Sequence, residues 1–304
     1  SYISDVKNNE LKKLSSDIFN NSSEYHKLSL CDYIIICLPT PLKKNIPDMS
    51  YIEDCFSEIY KHLKKNQTII LESSVYTGAT KNIFEKKLNK KFKLGKNFFL
   101  CYSPERIDPG QEKLIKKTEY INITKLISGH SRKCLEKIRF LYKSVFKKIY
   151  ECSSIEVAET AKLLENIYRS VNIGLVNEMK IITHKLNLNI HQVIDAAGSK
   201  PFGFRKFSPG PGVGGHCIPI DPVFMSWLAK KNGTESKFIN LSVQANKKIT
   251  DWTIKKITQR LKKTNKVLLL GLTYKKDVND MRESPSLKIF KILISKKYNV
   301  QYND

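Results

Sequence analysis

Three short apolar runs, each closed by a polar or proline-bearing turn, commit the first half of this chain to a parallel α/β sheet. Tyr33-Ile-Ile-Ile-Cys-Leu38 ends at Pro39-Thr-Pro41, and Tyr51 to Lys65 then carries helical spacing, with Asp48 or Ser50 as its cap. Thr68-Ile-Ile-Leu71 runs into Glu72-Ser-Ser-Val75, and a helix is predicted from about Thr77. Asn97-Phe-Phe-Leu-Cys-Tyr102 runs into Ser103-Pro-Glu-Arg-Ile-Asp-Pro-Gly110. Continuous rather than alternating apolarity is what a strand buried on both faces requires. Ligands of such sheets lie beyond the carboxyl ends of the strands, and all three turns stand at such ends.

The second half begins with one long helical pattern, from Ser153 to about Leu186. Leu164, Ile167, Val171, Leu175, Met179 and Ile182 recur at spacings of three and four and form an apolar stripe. Glu159, Lys162, Asn166 and Arg169 form a separate polar row. A helix of that length is predicted to bridge two domains or to pack against another subunit. Further helices are predicted over about Pro222 to Lys231 and Lys237 to Lys262. Lys266-Val-Leu-Leu-Leu-Gly271 then opens a second α/β unit, in which Ser284-Pro285 starts a helix and Tyr298 to Tyr302 a strand. The expected domains are 1–152, 153–263 and 264–304.

Between the long helix and that unit lies Phe207-Ser-Pro-Gly-Pro-Gly-Val-Gly-Gly-His-Cys-Ile-Pro-Ile-Asp-Pro222, which holds four of the 13 glycines and four of the 11 prolines. Glycine admits positive φ and close approach, while proline freezes the remainder. A rigid loop that presents a thiol beside His216 and near Asp221 suits a nucleophile, Cys217. A histidine next in sequence could lower the thiol pKa, although neighbouring side chains often point apart. His26, His62, His130, His184 and His191 share no spacing.

The net charge of +24 raises the question of nucleic acid. The lysines, however, are spread along the chain in pairs such as Lys12-Lys13, Lys64-Lys65, Lys147-Lys148 and Lys262-Lys263, without interleaved aromatics or a zinc-finger motif. Solvated lysine faces account for them, and the positive field favours small anionic substrates. No nucleic-acid partner is expected. No apolar run approaches the roughly 20 residues of a membrane span, so no membrane partner is expected either. The seven cysteines are odd in number and lack metal-ligand spacing, which points to reduced thiols, a cytoplasmic location and no metal site.

Taken together, the chain resembles the UDP-glucose/GDP-mannose dehydrogenase family of nucleotide-sugar 6-dehydrogenases. The matching stretches are Leu38-Pro-Thr-Pro41, Glu72-Ser-Ser-Val75, Tyr102-Ser-Pro-Glu-Arg106, Ala161-Lys-Leu-Leu-Glu-Asn166 and Val171-Asn-Ile-Gly-Leu-Val-Asn-Glu178. Gly214-Gly-His-Cys-Ile-Pro-Ile-Asp221, Gly271-Leu-Thr-Tyr-Lys-Lys-Asp277 and Arg282-Glu-Ser-Pro285 complete the set. The forms Ser-Pro-Glu-Arg and Gly-Gly-His-Cys-Ile-Pro look most like the UDP-N-acetylglucosamine 6-dehydrogenase branch, which serves surface polysaccharides.

The resemblance implies an NAD-binding Rossmann-like domain, a central helical domain that dimerises through the long helix, and a UDP-sugar-binding domain. It implies oxidation of a primary alcohol to a carboxylate with two NAD⁺, through a thioester on Cys217. Lys162 and Asn166, four apart on one helix face, take the oxyanion-stabilising role. Asp221 is the carboxylate that works with the lysine and a water, and it can equally cap the helix opening at Pro222. Glu105 contacts substrate and can serve as base; its other reading is an ion pair with Arg106. Ser74 contacts cofactor and a catalytic water.

By the same resemblance Pro39, Thr40, Pro41, Ser73, Ser74 and Arg282 hold the cofactor, and Glu105, Arg106, Lys162, Asn166, Phe207, Gly214 and Lys275 the substrate. Arginine and lysine bring phosphate-pairing chemistry to these positions. One departure concerns Pro109, which stands where much of the family has a second glutamate, with Asp108 beside it. The choice of water-activating carboxylate therefore stays open. No G-x-G-x-x-G turn follows a strand within these residues, so the first strand-turn-helix unit and most of the last domain are expected to be missing. The chain is then either a portion of an active dehydrogenase or a non-catalytic remnant with a binding role. UDP-N-acetylmannosamine and UDP-glucose are the alternative substrates.

Overall fold

The computed structural model describes residues 22–107, 121–262 and 264–304. The chain forms two compact units, divided after Leu164 within the long helix.

In the first unit, β1 (Tyr33–Ile36), β4 (Thr68–Leu71), β5 (Phe99–Tyr102), β6 (Lys125–Gly129) and β7 (Ile149–Glu151) form one sheet in the order β1-β4-β5-β6-β7. A small antiparallel pair, β2 (Leu42–Lys43) and β3 (Ile46–Pro47), follows β1. Strands β1, β4 and β5 run parallel, with Tyr33 opposite Thr68 and Thr68 opposite Phe99. The sheet is mixed rather than wholly parallel, because β6 pairs antiparallel with β5, and β7 follows β6. Every residue of β4 and β5 is buried, as their unbroken apolar runs require. β1 differs: Ile34 and Ile36 are buried but Ile35 is exposed, so this run is covered on one face only.

The helix α1 (Ser50–Tyr60) buries Ile52, Phe56 and Ile59, and the Asp48 carboxylate accepts the Ser50 N–H at 3.0 Å. It stops at Tyr60, short of Lys65. The Gln67 side chain takes the Lys64 N–H at 2.8 Å and donates to the carbonyls of Leu28 and Cys31, which turns the chain into β4. The helix predicted from Thr77 starts two residues later, with a π-turn at Lys81–Glu85 leading into α2 (Lys86–Lys91). Helix α3 (Arg132–Lys143), capped by Ser131, places Cys134, Ile138 and Tyr142 against Ile70, Phe99, Cys101 and Ile127. That face buries one turn after another against the sheet.

Helix α4 (Ile155–Lys185) runs for 31 residues. Its apolar stripe is only partly covered: Ile167 is buried and Met179 packs on Val176, but Leu164, Leu175 and Ile182 are 62%, 58% and 44% exposed. Of the polar row, Glu159, Lys162 and Asn166 are buried and Arg169 is half-buried, and Ser170 and Asn177 are buried further along the helix. Burial of polar groups is tolerated only where they are hydrogen-bonded, and the partners are described below.

In the second unit, α5 (Ile190–Ala197) is capped by Asn189 and packs on Val176. After the glycine-proline loop come α6 (Asp221–Lys231) and α7 (Lys237–Arg260). Gly174 permits α4 and α7 to approach closely, since a Cβ there would stand 3.1 Å from the Ser242 carbonyl. β8 (Lys266–Leu270) and β9 (Asn299–Asn303) pair in parallel, joined through α8 (Pro285–Ser295), whose cap Ser284 accepts the Leu287 N–H. Ile254, Ile289 and Leu293 form the core beneath them.

Candidate active site

The first unit gathers its candidate residues at the carboxyl ends of β1 and β4. Ser73 Oγ accepts the Leu38 N–H at 2.9 Å and donates to the Leu38 carbonyl at 2.7 Å. Thr40 Oγ1 donates to the Ser74 carbonyl at 2.6 Å. These three bonds lock Pro39-Thr40-Pro41 to Ser73 and Ser74 as one polar rim, the place where a ligand of such a sheet binds.

Beside that rim lies a cluster that sequence reasoning did not find. The buried Lys125 ammonium contacts Glu72 Oε1 at 3.1 Å and Glu105 Oε2 at 3.4 Å, and sits over the rings of Tyr142 and Phe146. Tyr142 donates its hydroxyl to Glu72. Burial, reinforced by the Glu72 charge, pushes the Tyr142 hydroxyl well above its usual pKa and the Cys37 thiol up to about 11. Glu105 is exposed, and its Oε1 accepts the backbone N–H groups of Arg106 and Ile107 at 2.6 Å. Its ion pair is with Lys125, while Arg106 donates to the Thr124 carbonyl at 2.7 Å. Asp108 and Pro109 lie outside the described residues.

Glu159 is buried and accepts hydrogen bonds from Gly78 N–H at 2.5 Å and from Thr80 N–H and Oγ at 2.9 and 2.6 Å. Burial raises its pKa from 4.5 to about 7, against the pull of those donors. A carboxyl held above its unfolded pKa binds its proton more readily in the native state. Its contribution to stability is therefore complete below pH 4.5 and is lost as the pH climbs through 7. Across that window the stability of the wild type relative to Glu159→Gln should fall by about 3 kcal/mol. Urea midpoints between pH 4.5 and pH 8 test this, and parallel pH profiles for the two proteins would refute it.

The second unit holds Cys217. Its carbonyl accepts the N–H groups of Ile220 and Asp221 at 3.1 and 2.9 Å, a turn that leads into α6. Asp221 is the first residue of α6, and its buried carboxylate accepts from Asn166 Nδ2 at 2.6 Å. Asp221 thus stands at the opening of α6 and also joins α6 to α4 through its side chain. Lys162 is buried one turn before Asn166 on the same helix.

Phe207 meets Tyr168 edge to face with centroids 6.0 Å apart. Gly215, at φ +82, lies against the Tyr274 ring, which a Cβ would meet at 2.9 Å, and Gly214 faces Tyr274 as well. Lys275 follows directly and is half-buried. The Arg282 guanidinium is engaged by Asp280 at 2.7 to 3.0 Å, another partner the sequence reading missed. His216 turns its Nδ1 to Asp280 at 4.0 Å. Among the described residues no group of His, Cys, Asp and Glu side chains could hold a metal ion, and no helix is long and apolar enough to cross a membrane.

Comparison with known proteins gives this arrangement its context. Residues 5–146 match the NAD binding domain of the UDP-glucose/GDP-mannose dehydrogenase family, 156–248 its central domain and 268–304 its UDP binding domain. Protein CapL of Staphylococcus aureus is 35% identical over 99% of this chain and 71% of its own length. The UDP-N-acetyl-D-glucosamine 6-dehydrogenase of Pseudomonas aeruginosa is 33% identical over 96% of this chain and 69% of its own. Among solved structures, the UDP-D-ManNAc dehydrogenase of Pyrococcus horikoshii superposes with a TM-score of 0.83 at 28% identity, covering 92% of this chain and 67% of that one.

The α/β fold and the NAD-binding domain at its start define an NAD-dependent oxidoreductase. More narrowly, the chain belongs to the UDP-glucose/GDP-mannose dehydrogenase family.

Proposed function

We propose that this protein oxidises the C6 hydroxyl of a UDP-N-acetylhexosamine, UDP-N-acetylglucosamine in the first instance, to the uronate, through a thioester on Cys217. The observation that carries the reading is Cys217 on a tethered glycine-proline loop, four residues before a carboxylate hydrogen-bonded to Asn166. Bound NAD⁺ supplies the acceptor for each hydride leaving C6. The polar rim of Pro39, Thr40, Pro41, Ser73 and Ser74 fits such a ligand, and Arg282 pairs with a phosphate.

In the first oxidation C6 loses a hydride and its hydroxyl loses a proton, giving the aldehyde. The Cys217 thiolate adds to that carbonyl, and the resulting oxyanion takes a proton as the hemithioacetal. Loss of a second hydride and the hydroxyl proton forms the thioester. Water then attacks the acyl carbon, the C–S bond breaks, and the thiol and the carboxylate separate.

Lys162 and Asn166 stabilise the oxyanions, with Asn166 oriented by Asp221. Glu105, held by backbone N–H groups, accepts the proton of the water, and Ser74 orients that water. Arg106, Phe207, Gly214 and Lys275 complete the substrate contacts.

We further assign the three domains their family roles and place the enzyme in the cytoplasm, in line with seven cysteines that form no disulfide with one another. Its product would serve surface polysaccharides. A second copy of the chain is proposed to cover the exposed row Leu164, Leu175 and Ile182 on α4. Leu175→Glu should then halve the mass seen by light scattering, and an unchanged mass would refute that interface.

The name of the Pyrococcus relative favours UDP-N-acetylmannosamine as the second reading. Incubation with NAD⁺ and each UDP-sugar, followed at 340 nm, tests the function: two NADH per sugar are expected from the true substrate. One NADH per sugar would exclude the four-electron reaction. No NADH from folded protein would leave a binding role.

A further inference from the structure

The glycine-proline loop is fastened to the helices behind it by a chain of buried side chains that the reaction scheme does not use. Gly210 N–H donates to Asn177 Oδ1 at 3.0 Å, Asn177 Nδ2 donates to Asn246 Oδ1 at 3.0 Å, and Asn246 Nδ2 donates to the Ser170 carbonyl at 2.9 Å. One turn on, Thr250 Oγ1 donates to the Pro211 carbonyl at 2.7 Å. The ends of this chain dictate its direction. A backbone N–H can only donate, so Asn177 must present its oxygen to Gly210. A backbone carbonyl can only accept, so Asn246 must present its nitrogen to Ser170. Two asparagines in series satisfy both ends at once.

Such a seam needs a reason. Ser242, Asn246 and Thr250 form a buried polar row on α7, facing the buried Ser170 and Asn177 of α4. Apolar residues of similar volume would pack two helices at least as well. What apolar residues cannot do is hold the backbone of the loop. A cavity of about 510 Å³, bounded by Ser170, Val213, Ile218, Asn246, Thr250 and Pro285, lies along the same side. Packing around the cavity is thus incomplete, and beside the close contacts of Gly212 and Gly214 with Pro285 the hydrogen bonds hold the loop backbone in place. At the other side the Gly215 N–H donates to the Arg282 carbonyl at 2.9 Å, two residues before Cys217.

We propose that Asn177, Asn246 and Thr250 are positioning residues for Cys217, which set the loop in register with α4 so that the thiol meets C6. This rests on the reading of Cys217 as the nucleophile. The variants Asn177→Leu and Thr250→Val remove the tethers with little change of volume, and Thr250→Ser restores the hydroxyl. Each is assayed with NAD⁺ and the UDP-sugar. The alkylation rate of Cys217 by iodoacetamide is followed by peptide mass, with the exposed Cys31 as internal control.

Displacement of a reacting group by about 1 Å can cost about 100-fold in rate. Asn177→Leu and Thr250→Val should thus lower kcat by roughly 10- to 100-fold with KM within about twofold, while Thr250→Ser stays within about threefold of wild type. Cys217 should be alkylated at least about threefold faster in the two tether-less variants, a readout that needs no turnover. Wild-type kcat and alkylation rate in folded Thr250→Val would overturn the proposal alone. Should Asn177→Leu not fold, the Thr250 pair decides. Uronate formation by Cys217→Ala would overturn the nucleophile reading, and the proposal with it.

Discussion

Replacement of Cys217 by alanine should abolish uronate formation, by roughly 10⁴-fold or more, while the protein stays folded and still binds NAD⁺. The thiol is half-buried at the end of the tethered loop, and the Cys217 carbonyl accepts the backbone bonds of the turn into α6. Alanine therefore removes the sulfur without disturbing those backbone bonds. The first hydride transfer does not require the thiol; the second does, because the aldehyde carbon bears a hydrogen but no hydroxyl until the thiolate adds to give the hemithioacetal. The variant should accordingly give no more than one NADH per sugar. Two NADH per sugar at the wild-type rate would sink the thioester scheme, and mass spectrometry of quenched wild-type protein should show the acyl group on Cys217.

Lys125→Met should be the most damaging single change to the first unit, at about 3–5 kcal/mol. The methionine fills much of the same space, but it leaves the largely buried Glu72 carboxylate facing the Tyr142 hydroxyl and the Cys37 thiol 3.9 Å away, with no cation to balance its charge in this cluster. Glu105, nearly half exposed, contributes little to that cost because water screens it. The double variant Lys125→Met/Glu72→Gln should recover most of the loss, since it removes the stranded charge together with its partner. Urea unfolding of the two proteins checks this. Equal stability of single and double variants would show that packing over Tyr142 and Phe146, not charge, is what Lys125 provides.

Much of the fold was legible because it is local. β4 begins and ends where its apolar run does, α4 and α7 lie within a few residues of their periodic stretches, and Ser284-Pro285 opens α8 as a serine-proline pair should. The candidate residues of the polar rim were found by motif, and the structure shows why they travel together: Ser73 holds Leu38, and Thr40 holds Ser74. The strands β6 and β7 escaped notice because short runs such as Lys125-Leu-Ile-Ser-Gly129 carry no clear period, and the reversal at β6 has no sequence signal.

The two readings that changed most concern Asp221 and α4. Asp221 resembles a helix cap but also bonds Asn166, and the apolar stripe of α4, which would ordinarily face the core, is exposed at Leu164, Leu175 and Ile182. Both were judged by hydropathy, which cannot anticipate a buried partner. Asn166 and Asp221 lie 55 residues apart in the chain, Asn177 and Asn246 lie 69 apart, and Glu159 and Thr80 lie 79 apart. A carboxyl raised to about 7, such as Glu159, is likewise invisible until its burial is known.

By itself the sequence determined the strands β1, β4 and β5, the long helix α4 and the elements after Asp221, the rigid loop around Cys217 and the membership of a dehydrogenase family. Each follows from neighbours in the chain: apolar period, glycine and proline geometry, and motif spacing. Only the tertiary structure decided which face of α4 is buried, which carboxylates Lys125 holds, and what fastens the loop. Periodicity states which side chains share a face, but what that face meets depends on distant residues, and a buried polar group is stable only where such a residue completes its hydrogen bonds.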